Sequence, residues 1–277
     1  MIINKEDKLF PQKLKDIKPE VTKIYVKGNP EILNDFGIAV IGSRNSSKEG
    51  ERLTEELVRK LVKYNINIIS GLALGIDTKS HTSCITNGGK TIAIIGSGFD
   101  YIYPKENKEL FKKIIETGGA IVSEYPPDTQ AKPENFPKRN RIVSGLSDGV
   151  LMIEGKYRSG TTITAGYALK QGKPVFCLPH SIYNQYGVGP NEIIKKGGRL
   201  VTNAKDIINY YESKGLIFEE KVKKETHKDD ILELLQNQIL TKEELARKLH
   251  KSISEINQQI TVLELEGLIQ EEYRERI

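Results

Sequence analysis

The sequence predicts an α/β protein, a Rossmann-like doubly wound, mostly parallel sheet followed by a small C-terminal winged-helix domain. Three observations lead there. Short apolar runs alternate with helix-length amphipathic segments from residue 38 to residue 211, the pattern of a parallel sheet covered on both faces. The turns that follow these runs are rich in glycine and serine. A charged stretch then separates off a short helical tail of opposite net charge.

Each element follows from its residues. Residues 1–36 form a lead-in containing FPQKLKDIKP. IAVIG (38–42) reads as a buried strand ending at a glycine. A helix follows, with Ser46 as its cap, Glu49 three residues on, and Leu53, Leu57 and Leu61 recurring on one face. INIIS (66–70), a helix from about Ala73 to Thr86, TIAIIG (91–96), a helix from about Glu106 to Glu116, and GAIVSE (119–124) continue the alternation. A proline-rich loop, YPPDTQAKPENFP, interrupts it, and a helical RNRIVSGLS leads to the strand DGVLMIE (148–154). Helix 161–171, strand PVFCLP (174–179), a helix near Asn191–Lys196, strand RLVT (199–202) and helix Ala204–Tyr211 complete a domain spanning 37–212.

Residues 213–228 read as a linker: EEKVKKETHKDD, from Glu219 to Asp230, is almost wholly charged and has no apolar period. Residues 229–277 then give ILELLQNQ, TKEELARKLH, SISEINQQITVLELEGLI and QEEYRE, three helices and a short strand in winged-helix order. A chain of 277 residues suits this division into one large core and a satellite.

Charge and composition narrow the function. The formal charge of +5 is uneven: residues 228–277 carry seven Lys or Arg against eleven Asp or Glu, a net of −4, leaving +9 on the first 227 residues. A polyanionic partner therefore belongs to the large domain. Cys84 and Cys177 lack metal or redox spacing. The start has no apolar signal core, and no run approaches a membrane span, so the expected location is cytoplasmic, without membrane association.

In open parallel sheets ligands bind beyond the carboxyl ends of the strands. Four turns there draw attention: Gly42-Ser43-Arg44, SGLALGID from Ser70 and Gly71 to Asp77, Gly96-Ser97-Gly98, and RSGTTITA with Ser159, Gly160 and Thr161. Each sets small or hydroxyl residues where a strand yields to a helix, exposing N–H groups and a positive dipole end to a phosphate. Arg44 adds a planar cation that a tight turn does not require. KPENFPKRNR joins Lys132, Phe136, Lys138, Arg139, Asn140 and Arg141, cations for phosphates beside an aromatic face for a base. His81 has no nucleophile motif beside it, Asp77 reads as a brace for its helix, and Glu154 has no partner carboxylate, so no catalytic residue, metal or cofactor is expected.

In the order GSR, SGLALGID, GGKTIAIIGSGFDYIYPKEN, SEYPP, FPKRNRIVSGLS and RSGTTITA, these phrases closely resemble the DprA/Smf family of bacterial DNA-processing proteins over about residues 9–210. The resemblance implies a protein that receives incoming single-stranded DNA in natural transformation, protects it and loads the RecA recombinase onto it. It implies that Arg44 and the Phe136–Arg141 segment bind the strand, with the loops at Gly42, Ser70 and Ser159 as the anion pocket, in a homodimer with no catalytic residue. The pattern departs in places. The residues before the first strand are too few for the N-terminal helical domain of many members, Leu178-Pro179-His180 replaces Val-Pro-Gly, and Gly189-Pro190-Asn191 replaces Gly-Thr-Asn. The presumed recognition helix, SISEINQQITVLELEG, holds three glutamates and no lysine or arginine, so the small domain is expected to contact protein rather than DNA. An alternative is a nucleotide-processing enzyme of the LOG or lysine-decarboxylase-like group. That group places a glutamate where this chain has Thr164 or Ala165.

Overall fold

The computed structural model describes residues 1–220, 231, 234–235 and 240–265, and the chain divides into two compact units, Met1–Lys221 and Val222–Ile277. The larger is built on one sheet with strand order β1-β2-β6-β5-β4-β3-β7-β8-β9. Its parallel strands are β3 (Gly37–Ile41), β4 (Asn67–Ser70), β5 (Thr91–Ile95), β6 (Ala120–Ser123), β7 (Gly149–Met152), β8 (Val175–Cys177) and β9 (Arg199–Leu200). From β3 the chain winds through β4 and β5 to β6, then returns to the other side of β3 for β7 to β9. A crevice must open at this reversal, because the helices after β3 and β7 leave in opposite directions.

Both faces of the central strands are buried, so the alternation along them sorts residues between two cores rather than between core and water. Ile38 and Val40 of β3 face one core with α1 (Lys48–Lys63), α2 (Ile76–Thr86) and α7 (Ala204–Glu212). Ala39 and Ile41 face the other, with α4 (Asn135–Leu146), α5 (Gly160–Lys170) and α6 (Val188–Lys195). A third cluster, with Phe99 and Ile95, lies under α3 (Lys108–Glu116).

The expected lead-in is part of this core. β1 (Ile2–Asn4) and β2 (Lys23–Gly28) extend the sheet, β2 pairing antiparallel with both β1 and β6, and Phe10, Leu14 and Val21 between them are fully buried. The cap of α1 is Ser47 rather than Ser46: its hydroxyl accepts from the Gly50 N–H, while Ser46 bonds Glu51. The cause lies across the sheet. Glu154, fully buried at the end of β7, accepts from the Ser47 N–H at 2.9 Å and its hydroxyl at 2.8 Å, fixing both the register of α1 and the reason for this carboxylate.

His81 is likewise structural. The Thr91 hydroxyl donates to the Ile68 carbonyl at 2.6 Å, so His81 Nδ1, 2.7 Å from that oxygen, is the donor. Nε2 is buried without a partner, and burial pushes the imidazole down to about 3. Cys84 and Cys177 are buried free thiols, each pushed up to about 12 by desolvation.

In the smaller unit Ile231, Leu245, Ile256, Ile260 and Leu263 form a core. It is built on α8 (Lys242–Leu249), opened by a Thr241–Glu244 capping box, and α9 (Ile253–Leu265). The strand expected in QEEYRE and most of the charged linker lie outside the described residues. Among the described residues no helix is long and apolar enough to cross a membrane.

Two outcomes follow. Glu154→Ala strands the Ser47 N–H and lowers the stability of the larger unit by about 1–3 kcal/mol, read as a lower urea midpoint at unchanged slope. For His81 the folded pKa lies below the unfolded one, so the unfolded chain binds the extra proton. Stability present above about pH 6.5 therefore drains as pH falls toward 3, at up to about 1.4 kcal/mol per pH unit. Urea titrations from pH 7 to 5 should show a shallower decline in His81→Asn than in the parent chain.

Candidate nucleic-acid interface

Beyond the carboxyl ends of β3, β4 and β7 lies a cavity of about 610 Å³. It is lined by the turns after those strands and by the first turns of α4 and α5. Of the fourteen residues singled out from sequence, ten line it: Gly42, Ser43, Arg44, Gly71, Phe136, Arg139, Asn140, Ser159, Gly160 and Thr161. Their chemistry is uneven.

The four turns are not equivalent anion sites. At the first, Glu154 already meets the α1 N-terminus, where Glu49 and Glu51 add further negative charge. At the second, Asp77 Oδ2 accepts from the Gly71 and Ala73 N–H groups at 3.1 and 3.3 Å, and Ser70 is buried with its hydroxyl on the Val40 carbonyl. Burial holds the Asp77 carboxyl above its usual range, opposed by the Arg139 charge and these N–H bonds. The third turn packs against the loop at Pro126–Pro127, with the Gly98 N–H bonded to the Thr129 carbonyl, and does not line the cavity. The fourth differs. The first turn of α5 carries no acidic residue, Ser159 caps it, and Ser159, Gly160 and Thr161 all line the cavity. This terminus keeps its dipole for a guest anion.

The turns are locked together at their glycines. Gly75 has φ +74°, and a Cβ there would stand 2.2 Å from the Ser43 carbonyl oxygen; only glycine lets the second turn close on the first. Thr161 Oγ1 donates to the Gly42 carbonyl at 2.9 Å, and Asn140 Nδ2 donates to the Gly160 carbonyl at 3.2 Å. Arg44, Asn140 and the α5 terminus thus share one frame.

The cationic segment divides along α4. Phe136, half-buried in the first turn, rests on Gly96, where a Cβ would come within 2.9 Å of its ring. The Arg44 guanidinium stands over that ring at 5.4 Å, and the Tyr103 ring lies 5.4 Å away at 42°. Lys132 and Lys138 are exposed and do not line the cavity, although their neighbours Pro133 and Pro137 do.

Two of the expected strand-binding arginines are set inward by the fold. Arg139, only 4% exposed, donates to the Gly71 carbonyl at 2.7 Å and to the Ile94 carbonyl, and burial lowers it to about 10, so it remains a cation at neutral pH. Its guanidinium forms floor rather than free contact. Arg141, equally buried, pairs with Glu124 at 2.6 and 2.9 Å and donates to the Pro19 and Glu20 carbonyls, away from the cavity. Two residues along α4 separate a cavity residue from a structural one, and side-chain type does not distinguish them.

Sequence reasoning passed over Tyr103 and Lys156. Tyr103 is 48% exposed beside Phe136, and Lys156 lines the cavity just before the α5 cap. The signal was present: an aromatic before Pro104, and a lysine beside the fourth turn.

Comparison with known proteins converges on one group. The profile described as DNA recombination-mediator protein A matches residues 1–212, and the DprA winged helix domain matches residues 222–272. The DNA processing protein DprA of Streptococcus pneumoniae is 40% identical over 206 residues, 74% of this chain and 72% of that protein. Protein Smf of Escherichia coli is 40% identical over 207 residues, 75% of this chain and 55% of that protein. The X-ray structure of the pneumococcal protein superposes with a TM-score of 0.71 at 39% identity, covering 76% of this chain and 73% of that one. The DNA processing protein A of Helicobacter pylori, whose structure was described for its single-stranded DNA binding mode, gives 0.69 at 30% identity, covering 77% and 97%. Matched over nearly all of its larger unit and most of its smaller one, this chain belongs to the DNA recombination-mediator protein A family, the DprA/Smf proteins.

Proposed function

We propose that this chain is a non-catalytic single-stranded DNA-binding protein whose cavity between α4 and α5 holds the strand, protects it and presents it for loading of the RecA recombinase. The observation that carries the reading is the Arg44–Phe136 pair on one wall, facing an α5 N-terminus free of its own acid. That combination offers a ring to a base and a cation and a dipole to the adjoining phosphates, which is the chemistry of sequence-tolerant single-strand recognition. The Phe136 ring already has Arg44 on it and Tyr103 beside it. A base therefore joins an existing stack rather than ordering a loose side chain, which lowers the entropic cost of binding.

The cavity offers little to hydrolytic chemistry. Asp77 is the sole carboxylate among its lining residues, and its Oδ2 is engaged by two backbone N–H groups. Glu154, the other carboxylate weighed from the sequence, is held on Ser47. In this reading the protein works as a cytoplasmic homodimer. The acidic smaller unit contacts a protein partner, since α9 offers Glu255 and Glu264 and no basic residue toward a phosphate backbone.

Fluorescence anisotropy on a labelled single-stranded oligonucleotide tests this. Affinity should fall with salt at a log–log slope of about −0.7 per phosphate neutralised. Arg44→Ala and Phe136→Ala should each weaken binding by about 5- to 150-fold, the equivalent of one base stack or one strong cationic interaction, and Arg44→Ala should also flatten the slope. Binding that survives both substitutions unchanged removes the cavity as the site. RecA filament formation on strands coated with a single-strand binding protein reports loading. Release of free base from nucleoside monophosphates would instead establish an enzyme.

A further inference from the structure

The segment Lys156-Tyr157-Arg158, in the turn between β7 and α5, repeats the chemistry of Arg44 and Phe136. Lys156 and Ser159, which flank Tyr157 and Arg158 in the chain, line the cavity. The Tyr157 ring is 52% exposed, with the Arg158 guanidinium over it at 5.3 Å, against 5.4 Å for Arg44 over Phe136. Arg158 has φ +53°, a left-handed conformation that costs a non-glycine residue on the order of 1 kcal/mol. That backbone accompanies a guanidinium folded back onto its neighbour's ring.

The projection is held at both ends. The Gly155 N–H donates to the Tyr186 carbonyl at 2.7 Å and the Gly155 carbonyl accepts from the Gly189 N–H at 2.7 Å, while Ser159 accepts from the Thr162 N–H as the cap of α5. Three exposed residues, two cationic and one aromatic, therefore stand on a fixed turn beside a helix terminus without an acid. Tyr157 belongs to none of the buried clusters of the larger unit.

We propose that Lys156, Tyr157 and Arg158 form a second strand-binding station, in which Tyr157 stacks a base and the flanking cations hold its phosphates. The strand then crosses the cavity from Phe136 past the α5 N-terminus to Tyr157, and the protein engages at least two separated bases. The proposal rests on the single-strand reading above. It also gives a reason for the paired layout: one stacking station binds any nucleotide, whereas two at a fixed spacing favour a continuous flexible strand over a mononucleotide or a stacked duplex.

The experiment uses the full chain with a length series of oligothymidylates from about 3 to about 15 nucleotides, the span over which single-strand sites are usually filled. Tyr157→Ala should weaken the longer oligonucleotides by about 5- to 150-fold, with the loss shrinking as the strand becomes too short to reach both walls. Tyr157→Phe should restore the ring and the affinity, which a local unfolding defect would not do for one variant and withhold from the other. Lys156→Ala with Arg158→Ala should reduce the salt slope by about 0.7 for each phosphate left without its cation. Photo-crosslinking with a 5-iodouracil-substituted strand should attach to Tyr157. Arg44-dependent binding in which Tyr157→Ala and the double variant leave affinity and salt slope unchanged at every length would overturn the second station and leave the first intact. No binding by the parent chain would overturn both.

Discussion

The site depends on one buried cation. Arg139 reaches from the middle of α4 beneath the sheet's carboxyl edge to the Gly71 and Ile94 carbonyls, where Asp77 collects the N–H groups of the adjoining turn. A guanidinium in that position would be expensive alone, but here its donors meet carbonyls freed by the ends of two strands and its charge lies near a carboxylate. The arrangement fixes the angle at which α4 leaves the sheet. Phe136, one turn earlier, is set on Gly96 as a consequence, and Asn140, one residue later, reaches Gly160. Arg139 thus braces the walls of the cavity that it also lines.

The same economy governs the helix termini. A doubly wound sheet gathers several positive dipole ends around one crevice, and each left open would bind an anion indiscriminately. Glu154 and Asp77 close the α1 and α2 turns from within. Of the helices that follow β3, β4 and β7, α5 is the one whose first turn carries no acid, and Arg44 and Lys156 line the cavity with it. Internal carboxylates thereby occupy two of the helix termini at the crevice, a structural role that reading them as catalytic acids would miss.

Much of this was legible in the residues. The strands from IAVIG to PVFCLP declare themselves because a parallel strand buried on both faces must be continuously apolar, and no exposed segment imitates that. β1 and β2 did not, because a short antiparallel strand such as KIYVKG owes its place in the sheet to β6, a partner about a hundred residues away. The Ser46 cap was the wrong serine of an adjacent pair, and the choice was made by Glu154, again from a distant strand.

For the interface the sequence by itself determined the ingredients: glycine-rich turns at strand ends, a phenylalanine among cations, basic charge confined to the larger unit and an acidic helix in the smaller. Motif order placed the chain in its family. Only the tertiary structure decided which cations face the cavity. Arg139 and Arg141 share a helix with Phe136, yet one is drawn to strand-end carbonyls and the other to Glu124, while Tyr103 and Lys156 arrive from other turns to complete the walls. Side-chain type states that a charge needs a partner. Whether that partner is a carbonyl of the fold or a phosphate of the ligand is settled by which groups the fold leaves unpaired nearby.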